Sequence, residues 1–255
     1  MLAAGEVGLR RWRPDFVCLS FYKLFGYPTG VGCLLARRAA LARLRRPWFA
    51  GGTIVVSSVW GDGHLLAPGE AAFEDGTINY LSLPAVTLGL RHLEAVGIEA
   101  IHGRVQSLTA WLLDALRGLR HRNGAPLVRL YGPAGAAARG GTIAFNLLAP
   151  DGTLVDYARV EARANRARIS LRTGCFCNPG ASEAALGLTA EELAPIFRPA
   201  AGPAEEHRRR LLAERRRAQG AVRVSLGIAS DFADVFRFVR FLRVFLDPPA
   251  SAPSA

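Results

Sequence analysis

A long stretch of helical periodicity in the middle of the sequence limits the possible folds most strongly. Apolar residues recur at helical spacing from residue 81 to residue 119, with breaks predicted near Pro84 and Gly97. A helix of this length is a natural bridge between two parts of a protein. The sequence therefore predicts a first domain that ends with this helix near residue 103, and a second domain after it.

The segment before the long helix predicts the end of a larger α/β domain. A short apolar run at 15–20 predicts a buried strand, and 31–36 predicts the next one. The glycine- and proline-rich stretch at 21–30 predicts a loop between them. Residues 37–46 predict a short basic helix or turn. Lys23 is thus expected on a tight connection between two core strands.

The segment after the long helix alternates between strand and helix patterns, which is typical of a smaller α+β domain. Strands are predicted at 128–131, 142–148, 168–172 and 221–226, and helices at 154–164, 190–193, 203–219 and 232–246. The polar, proline-containing tail predicts disorder. The expected division is 1–103, 104–246 and a disordered 247–255, and the expected fold class is α/β.

The composition favours a folded, non-membrane protein. Half of the 255 residues are apolar, and no run reaches the roughly 18 apolar residues that a membrane span needs. The N-terminus lacks the order of basic, apolar and small residues of a signal peptide. Four cysteines in a chain of this length do not make a disulfide framework. We expect reduced thiols and a cytoplasmic location.

The net charge of +11 raises the question of nucleic-acid binding. The arginines are dispersed, and the densest runs, at 208–210 and 215–217, share a helical pattern with Glu205, Glu206 and Glu214. Helix-spaced charges of both signs usually form a solvated face, and no aromatic side chains are interleaved as stacking platforms for bases. Nucleic-acid binding is therefore the last of the functional hypotheses.

Lys23 is the single lysine of the sequence, and every other strong base is arginine. Lysine can lose its proton and act as a nucleophilic amine, as Schiff-base chemistry requires, whereas arginine cannot. An ordinary surface lysine is the alternative interpretation. The residue type by itself leaves both open.

Two cysteines, Cys175 and Cys177, follow a predicted strand and Gly174. A glycine-bracketed loop at a strand end commonly displays reactive side chains. A zinc site is disfavoured because its usual spacing is Cys-x₂₋₄-Cys and it needs four ligands, while Cys18 and Cys33 lie in distant apolar strands. A structural pair of thiols is the remaining alternative.

Four segments together resemble one known family. The segment 20–32 resembles the cofactor-lysine segment of class V aminotransferase-type enzymes, the group that contains the cysteine desulfurases. The segment 172–177 resembles their substrate-arginine and active-cysteine segment. The segment 73–77 resembles their Glu-x-Gly-Thr loop, and 51–53 their phosphate loop. The order of the segments also agrees over nearly the whole chain.

The resemblance implies a C-terminal part of the large domain of a pyridoxal-phosphate-dependent transferase of fold type I, followed by the smaller α+β domain. It implies pyridoxal phosphate as the cofactor and no metal. Lys23 would bind the cofactor covalently, Arg172 would hold the substrate carboxylate, and Cys177 would accept sulfur. The remaining implied residues are the cofactor contacts Ser20, Tyr22, Gly52 and Thr53, and Cys175 as a secondary thiol.

Two details resemble the molybdenum cofactor sulfurases within this family. Tyr22 stands where general cysteine desulfurases tend to have histidine, and the active loop contains Cys-Phe-Cys-Asn-Pro-Gly-Ala. The implied partners are L-cysteine, the molybdenum cofactor or another sulfur acceptor, and a second copy of the chain in a homodimer. The sequence departs from the sulfurases at Ser182, where they have cysteine, and in the absence of a following domain for the molybdopterin acceptor.

Only twenty-two residues precede Lys23. In this family three parts of the cofactor site lie upstream of the lysine. They are the residue that stacks on the cofactor ring, the aspartate that pairs with the ring nitrogen, and the main phosphate-binding segment. We therefore expect a truncated or split product that binds the cofactor poorly by itself. The alternative functions are a general cysteine desulfurase and an inactive fragment that serves as a binding or assembly subunit.

Overall fold

The computed structural model describes residues 8–137, 139–197, 205–206 and 220–247. The chain divides into two compact units, Met1–Ile101 and His102–Ala255. Of the helix predicted at 203–219, only residues 205–206 are described, and these are helical. The tail predicted to be disordered lies outside the described residues after Asp247.

The helices are α1 (Leu9–Trp12), α2 (Tyr22–Phe25), α3 (Arg38–Leu41), α4 (Leu83–Val96), α5 (Ile98–Gly118), α6 (Tyr157–Arg166), α7 (Pro179–Leu186), α8 (Ala190–Phe197) and α9 (Phe232–Leu242). The strands are β1 (Phe16–Ser20), β2 (Gly32–Ala36), β3 (Ile54–Ser57), β4 (His64–Leu66), β5 (Val128–Tyr131), β6 (Thr142–Leu147), β7 (Arg172–Gly174) and β8 (Ala221–Ser225). Short 3₁₀ turns occur at Gly69–Phe73, Tyr80–Ser82 and Arg243–Phe245. None of the described helices is long and apolar enough to cross a membrane.

The first unit contains two antiparallel two-stranded sheets, β1–β2 and β3–β4. The strands predicted at 15–20 and 31–36 form β1 and β2, and Ser20 pairs with Gly32 beside the connection. A Cβ atom on Gly32 would lie 2.5 Å from the Leu19 carbonyl oxygen, so this close pairing requires glycine. The predicted burial of 15–20 is wrong, because β1 pairs only with β2 among the described strands and its residues stay exposed or half-buried.

The connection between β1 and β2 is more ordered than predicted. The sequence predicts a loop at 21–30, but residues 22–25 form the helical turn α2. Gly26, with φ of +89°, ends this turn, and its N–H donates to the Tyr22 carbonyl. A positive φ of this kind favours glycine. Lys23 therefore lies on a helical turn rather than in an open loop.

The long helical stretch is divided at Gly97, as predicted. Gly97 has φ of +91°, and its N–H donates to the Leu93 carbonyl to close α4. The break predicted near Pro84 lies at the start of α4, which begins at Leu83 after the 3₁₀ turn at Tyr80–Ser82. This proline lies in the first turn of α4, where a helix has no use for the missing N–H and the ring favours helical φ. Helix α5 then contains the boundary between the two units.

The second unit is built on an antiparallel sheet with the strand order β5-β6-β8-β7. The strand predicted at 168–172 is wrong in its position, since β7 comprises Arg172–Gly174. Residues just after α6 cannot be extended, because the Ala167 N–H donates to the Arg163 carbonyl and Arg168 has φ of +55°. The chain straightens only afterwards, so that Arg172 begins the strand.

One face of this sheet builds the core of the second unit. Ile143 and Phe145 of β6 and Val222 of β8 are fully buried, together with residues of α5 and α9. The Phe145 ring lies 6.0 Å from the ring of Phe238 in α9. Because side chains alternate along a strand, Ala144 and Arg223 belong to the opposite face. That face carries the candidate site.

Candidate functional site

Lys23 presents its amine to solvent from α2. Its Nζ lies 5.6 Å from the centroid of the Tyr22 ring, a cation–π distance. Among the residues that the structure describes, Lys23 makes no ion pair. Since the amine is not held by a carboxylate, it is available for covalent chemistry.

A glycine in α4 fixes the position of α2 within the first unit. The ring of Phe25, two residues after Lys23, packs so closely on Gly89 that a Cβ there would lie 2.3 Å from the ring carbons. Real Cβ atoms are not found at such distances. No sequence pattern predicts this contact, because an isolated glycine in a helical pattern has several possible explanations.

The two glycine-containing segments at 51–53 and 73–77 lie together in the first unit. The Gly76 N–H donates to the Gly51 carbonyl at 2.8 Å. Gly52 has φ of +85°, and a Cβ there would lie 3.5 Å from the Glu74 carbonyl oxygen. Two segments that the resemblance named separately thus form one exposed pair of loops.

Arg46 holds the 73–77 loop in place. Its guanidinium donates to the Ala72 carbonyl and to the Asp75 carboxylate, each at 2.7 Å. The Arg46 side chain is only 7% exposed, whereas that of Asp75 is 55% exposed. A mostly buried arginine with a carboxylate partner resists movement more than a surface pair does.

The hydroxyl of Thr53 is used within its own turn. Thr53 is fully buried, and its Oγ1 donates to the Ala50 carbonyl at 2.7 Å and accepts from the Ala50 N–H at 3.0 Å. The single donor of the hydroxyl is therefore occupied. Gly52 is exposed, so backbone groups of this loop fit the predicted phosphate contact better than the Thr53 side chain does.

Cys177 lies in a strained turn directly after β7. The Asn178 N–H donates to the Cys175 carbonyl at 3.0 Å and closes a four-residue turn. Its two central residues, Phe176 and Cys177, have φ of +55° and +58°. A left-handed conformation costs about 1–2 kcal/mol for each residue other than glycine. Such strain is concentrated at functional sites in proteins, and both thiols are exposed.

Helix α7 begins at once after this turn. The Asn178 side chain accepts a hydrogen bond from the Ala181 N–H, and Pro179 occupies the first turn. Both are residues that favour a helix start. The motif Cys-Asn-Pro-Gly-Ala therefore displays the thiol between a strand end and a helix start.

Arg223 is a candidate functional residue that the sequence reasoning missed. The sheet register pairs Tyr131 with Ala144, Ala144 with Arg223, and Arg223 with Arg172. Directly paired residues of antiparallel strands point to the same face, so Arg223 is the neighbour of the predicted substrate arginine. An arginine between two valines in a core strand was the available signal, because charged residues are rare at such positions.

Phe176 connects the cysteine turn to Arg223. The Arg223 guanidinium carbon lies 4.9 Å from the centroid of the Phe176 ring. This cation–π contact anchors the strained turn on the sheet. The Arg223 Nε is buried and has no hydrogen-bond partner among the described residues.

A cavity of about 300 Å³ lies under α7 on the same sheet face. Its walls include Tyr131, Ala144, Cys175, Asn178 and Arg223. Cys177 is not among the residues that line it. Of the two thiols, therefore, Cys175 faces the cavity and Cys177 lies outside it. In the part of the chain that the structure describes, no group of three or more His, Cys, Asp or Glu side chains is arranged to hold a metal ion.

Comparison with curated proteins finds molybdenum cofactor sulfurases. The chain is 41% identical over 249 residues to the molybdenum cofactor sulfurase of Drosophila mojavensis, covering 94% of this chain and 32% of that protein. It is 39% identical over 241 residues to that of Solanum lycopersicum, covering 94% of this chain and 29% of the relative. The chain thus spans about a third of the length of the curated relatives that it matches.

Comparison with solved structures finds a cysteine desulfurase from Thermococcus onnurineus. The TM-score is 0.70 at 23% identity, and the match covers 96% of this chain and 50% of the other. This likeness confirms the predicted α/β fold class. The family model for class V aminotransferases matches residues 2–238. The recognition made from four short segments is thereby confirmed, and the chain belongs to the class V aminotransferase family.

Proposed function

We propose that this protein takes sulfur from L-cysteine with pyridoxal phosphate, holds it as a persulfide on Cys177, and delivers it to the molybdenum cofactor. One observation carries the proposal. An exposed cysteine occupies a left-handed turn between the strand that begins with Arg172 and the start of α7, in a chain about 40% identical to molybdenum cofactor sulfurases.

The residues present fit the cofactor at the lysine and only in part at the phosphate loop. The exposed Lys23 amine has no carboxylate partner among the described residues, as covalent attachment requires. The exposed Gly52 offers backbone, while the Thr53 hydroxyl is occupied by Ala50. Ser20, at the end of β1, and Tyr22, beside the amine, would complete the contacts on this side. Pyridoxal phosphate supplies an electron sink when it is bound.

Arg172 and Arg223 supply positive charge for the carboxylate of L-cysteine. Like charges directly opposite each other in a sheet are unfavourable unless an anion compensates them. A guanidinium group can also hold a carboxylate through two parallel hydrogen bonds. An amino acid held in this way has its orientation fixed. The Lys23 amine would take the proton from the α-carbon of the substrate.

Cys177 carries out the sulfur step as a thiolate. A sulfur–sulfur bond forms between Cys177 and the substrate, and the substrate's carbon–sulfur bond breaks. The carbon retains the electron pair and gains a proton. L-Cysteine and the Cys177 thiol thus become L-alanine and a Cys177 persulfide, with no outside oxidant. Cys175 is proposed as a secondary thiol on the other side of Phe176.

Mass spectrometry of the full chain tests this proposal directly. The purified protein is incubated with pyridoxal phosphate and L-cysteine, and the sulfur adduct is located by peptide mapping while L-alanine is quantified. We expect the adduct on Cys177 and its complete loss in Cys177→Ala. Lys23→Ala should lower alanine release by at least about a hundredfold, as expected for a missing acid–base group.

Cys175→Ala is the matched control for the thiol. It should retain the Cys177 adduct, because Cys175 has no role in the first sulfur transfer. An adduct that persists in Cys177→Ala but disappears in Cys175→Ala would show that the nucleophile is Cys175 and not Cys177. Delivery of sulfur from the Cys177 persulfide to the molybdenum cofactor is then compared with its delivery to thiol acceptors. Preference for the molybdenum cofactor indicates a cofactor sulfurase, and delivery to thiols alone indicates a general cysteine desulfurase.

A binding or assembly subunit without activity is the second candidate. It is favoured by the incomplete fit at the phosphate loop, where the Thr53 hydroxyl is already bonded to Ala50. A folded chain that releases no alanine would support it. A strong absorption band on addition of pyridoxal phosphate, lost in Lys23→Ala, would oppose it. A cytoplasmic homodimer is the assembly and location proposed for the active form.

A further inference from the structure

We propose that a gap between β7 and β8 binds the C-terminal end of an extended polypeptide from another protein, with a large apolar residue next to its last position. This gap, the fork, has the arms 168–170 and 224–226 and lies within the second unit. None of the residues on its walls is assigned to the sulfur chemistry. The inference therefore goes beyond the proposed function.

The fork exists because β7 is shorter than β8. Strand β8 extends to Ser225, but its last residue paired with β7 is Arg223, opposite Arg172. Before β7 the chain runs in another direction, since Arg168 has φ of +55° and the Ile169 N–H donates back to a carbonyl of α6 at 2.9 Å. The end of α6 therefore keeps the arm 168–170 from continuing the sheet beside β8.

The backbone of Ser225 forms an open edge of the sheet. Backbone groups of an antiparallel strand point alternately to its two neighbours. The Leu226 N–H donates to the Gly141 carbonyl on the β6 side, so the N–H and C=O groups of Ser225 point to the other side, into the fork. Within the described part of the chain, neither group has a hydrogen-bond partner. A free donor and acceptor at a sheet edge are the groups that an added strand uses.

A cavity of about 300 Å³ lies in the fork. Its floor is formed by apolar side chains that also belong to the core of the second unit: Leu112 of α5, Val224 of β8, and Val235 and Phe238 of α9. Transfer of an apolar side chain from water onto such a floor is favourable. The cavity therefore offers a place for one large apolar side chain of a partner, next to the open backbone of Ser225.

The fork is closed at its inner end. The register of β7 and β8 places Leu171 opposite Val224, and Leu171 packs against the core. An added strand that runs in the direction of β7 must therefore end opposite Ser225. Its last residue would pair with the Ser225 backbone. Its penultimate residue would lie opposite Leu226 and point its side chain to the core side, into the cavity, because side chains alternate along a strand.

The charge at the rim selects a C-terminus over an N-terminus. The Arg168 side chain is exposed and makes no hydrogen bond or ion pair among the residues that the structure describes. Arg237 also lines the cavity, and its guanidinium donates to the Ala167 carbonyl at 2.5 Å. Asp234 lines it as well, but its carboxylate accepts a backbone N–H in the cap of α9. Two guanidinium groups near the end of an added strand favour its terminal carboxylate and repel a terminal amine.

The last residues of this chain do not fit the fork. The segment 248–255 contains no large apolar side chain, and three of its eight residues are prolines, which have no N–H to donate to a strand edge. The expected partner is therefore a different protein that ends in an extended segment with an apolar penultimate residue.

A titration of the full chain with a short peptide tests this proposal. The probe is acetyl-Thr-Leu-Ala with a free carboxylate, and the Ser225 amide is followed by nuclear magnetic resonance. We expect its signal to shift. Replacement of the leucine by glycine should raise the dissociation constant at least about tenfold, because the cavity then stays unfilled. Conversion of the carboxylate to an amide should raise it at least about tenfold, because a hydrogen bond to a charged group is lost.

A variant identifies the cation responsible. Arg168→Gly removes the guanidinium, and glycine adopts the positive φ of this position readily. It should weaken binding of the carboxylate probe about tenfold and leave binding of the amide probe unchanged. Arg166→Ala is the matched control, because Arg166 is an exposed arginine of α6 that does not line the cavity. Both probes should bind this variant as they bind the parent.

Four results overturn the proposal. The Ser225 amide does not shift at up to about 10 mM probe, a concentration at which binding is very weak. The carboxylate and amide probes bind equally well, or the leucine and glycine probes do. Arg168→Gly binds the carboxylate probe as the parent does. A shift that depends on the concentration of the protein and not of the probe would assign the fork to a second copy of the chain.

Discussion

The two units use their apolar residues in opposite ways. Among the residues that the structure describes, the buried cluster has twenty members, all at Leu108 or later positions, around a four-stranded sheet. Most exposed large apolar residues instead belong to the first unit, and Val59 and Trp60 at the tip of the β3–β4 hairpin are 96% and 97% exposed. Each sheet of the first unit has two strands, too few for a stable sheet without further packing.

The two units therefore support different parts of the proposed chemistry. The second unit has enough buried apolar surface to fix the cysteine turn, Arg223 and the cavity under α7. The first unit presents Lys23 and the loop pair on local devices: a helical turn, a glycine contact and one buried arginine. The placement of functional side chains should therefore depend on core packing in the second unit and on single contacts in the first.

The largest expected effect separates two phenylalanines. Phe145→Ala removes a fully buried ring from the second unit and should lower the free energy of unfolding by about 3–5 kcal/mol, since it leaves a cavity. Phe16→Ala, at a position 41% exposed in β1, should cost less than about 1 kcal/mol. Native-state hydrogen exchange of β6 and β1 amides measures each unit separately. Equal losses of unfolding free energy in the two variants would contradict the idea that core packing matters more in the second unit than in the first.

A smaller effect tests the local device that holds the lysine turn. Gly89→Ala should destabilise the first unit by about 1–3 kcal/mol, because the new methyl group meets the Phe25 ring. Gly103→Ala in α5 has open space around the new atom and should stabilise by about 0.5–1 kcal/mol, as alanine favours helix. Chemical denaturation of both variants, with hydrogen exchange of α4 amides, shows which variant is destabilised and which is stabilised. A stabilised Gly89→Ala would show that Phe25 is free to move.

The smallest effect concerns pH. Burial raises the pKa of Tyr131 in the folded state, so above its ordinary value of about 10 the unfolded chain loses this proton first. The contribution of Tyr131 to stability is therefore complete below that value and declines as pH rises towards the folded pKa. Denaturation between neutral and alkaline pH should show a steeper decline for the parent than for Tyr131→Phe, with Tyr80→Phe as the control.

The sequence predicted the strands β1, β2, β5, β6 and β8 with small errors at their ends, since each combines apolar pattern with turn residues. It failed where local geometry prevailed over pattern. Apolar character at 168–172 predicted a strand, but the end of α6 and the left-handed Arg168 delay β7 to Arg172. The loop around Lys23 was predicted without α2, because four residues are too few for periodicity to show.

The candidate site divides in the same manner. Residue types that only certain chemistry requires, the single lysine and the Cys-Phe-Cys turn, were recognisable in the sequence. Arg223, Tyr131 and Ala144 were not, because they lie on three strands separated by up to about ninety residues of chain, and only pairing in a sheet makes them neighbours.

The sequence by itself determined the family, the alternation of helix and strand, and the two reactive side chains, because these depend on residue identity and local order. Tertiary structure alone decided that Arg223 lies beside Arg172, that Cys175 faces a cavity, and which apolar residues are buried. Those properties depend on strand register and on the packing of distant segments, and a one-residue change of register would reverse them.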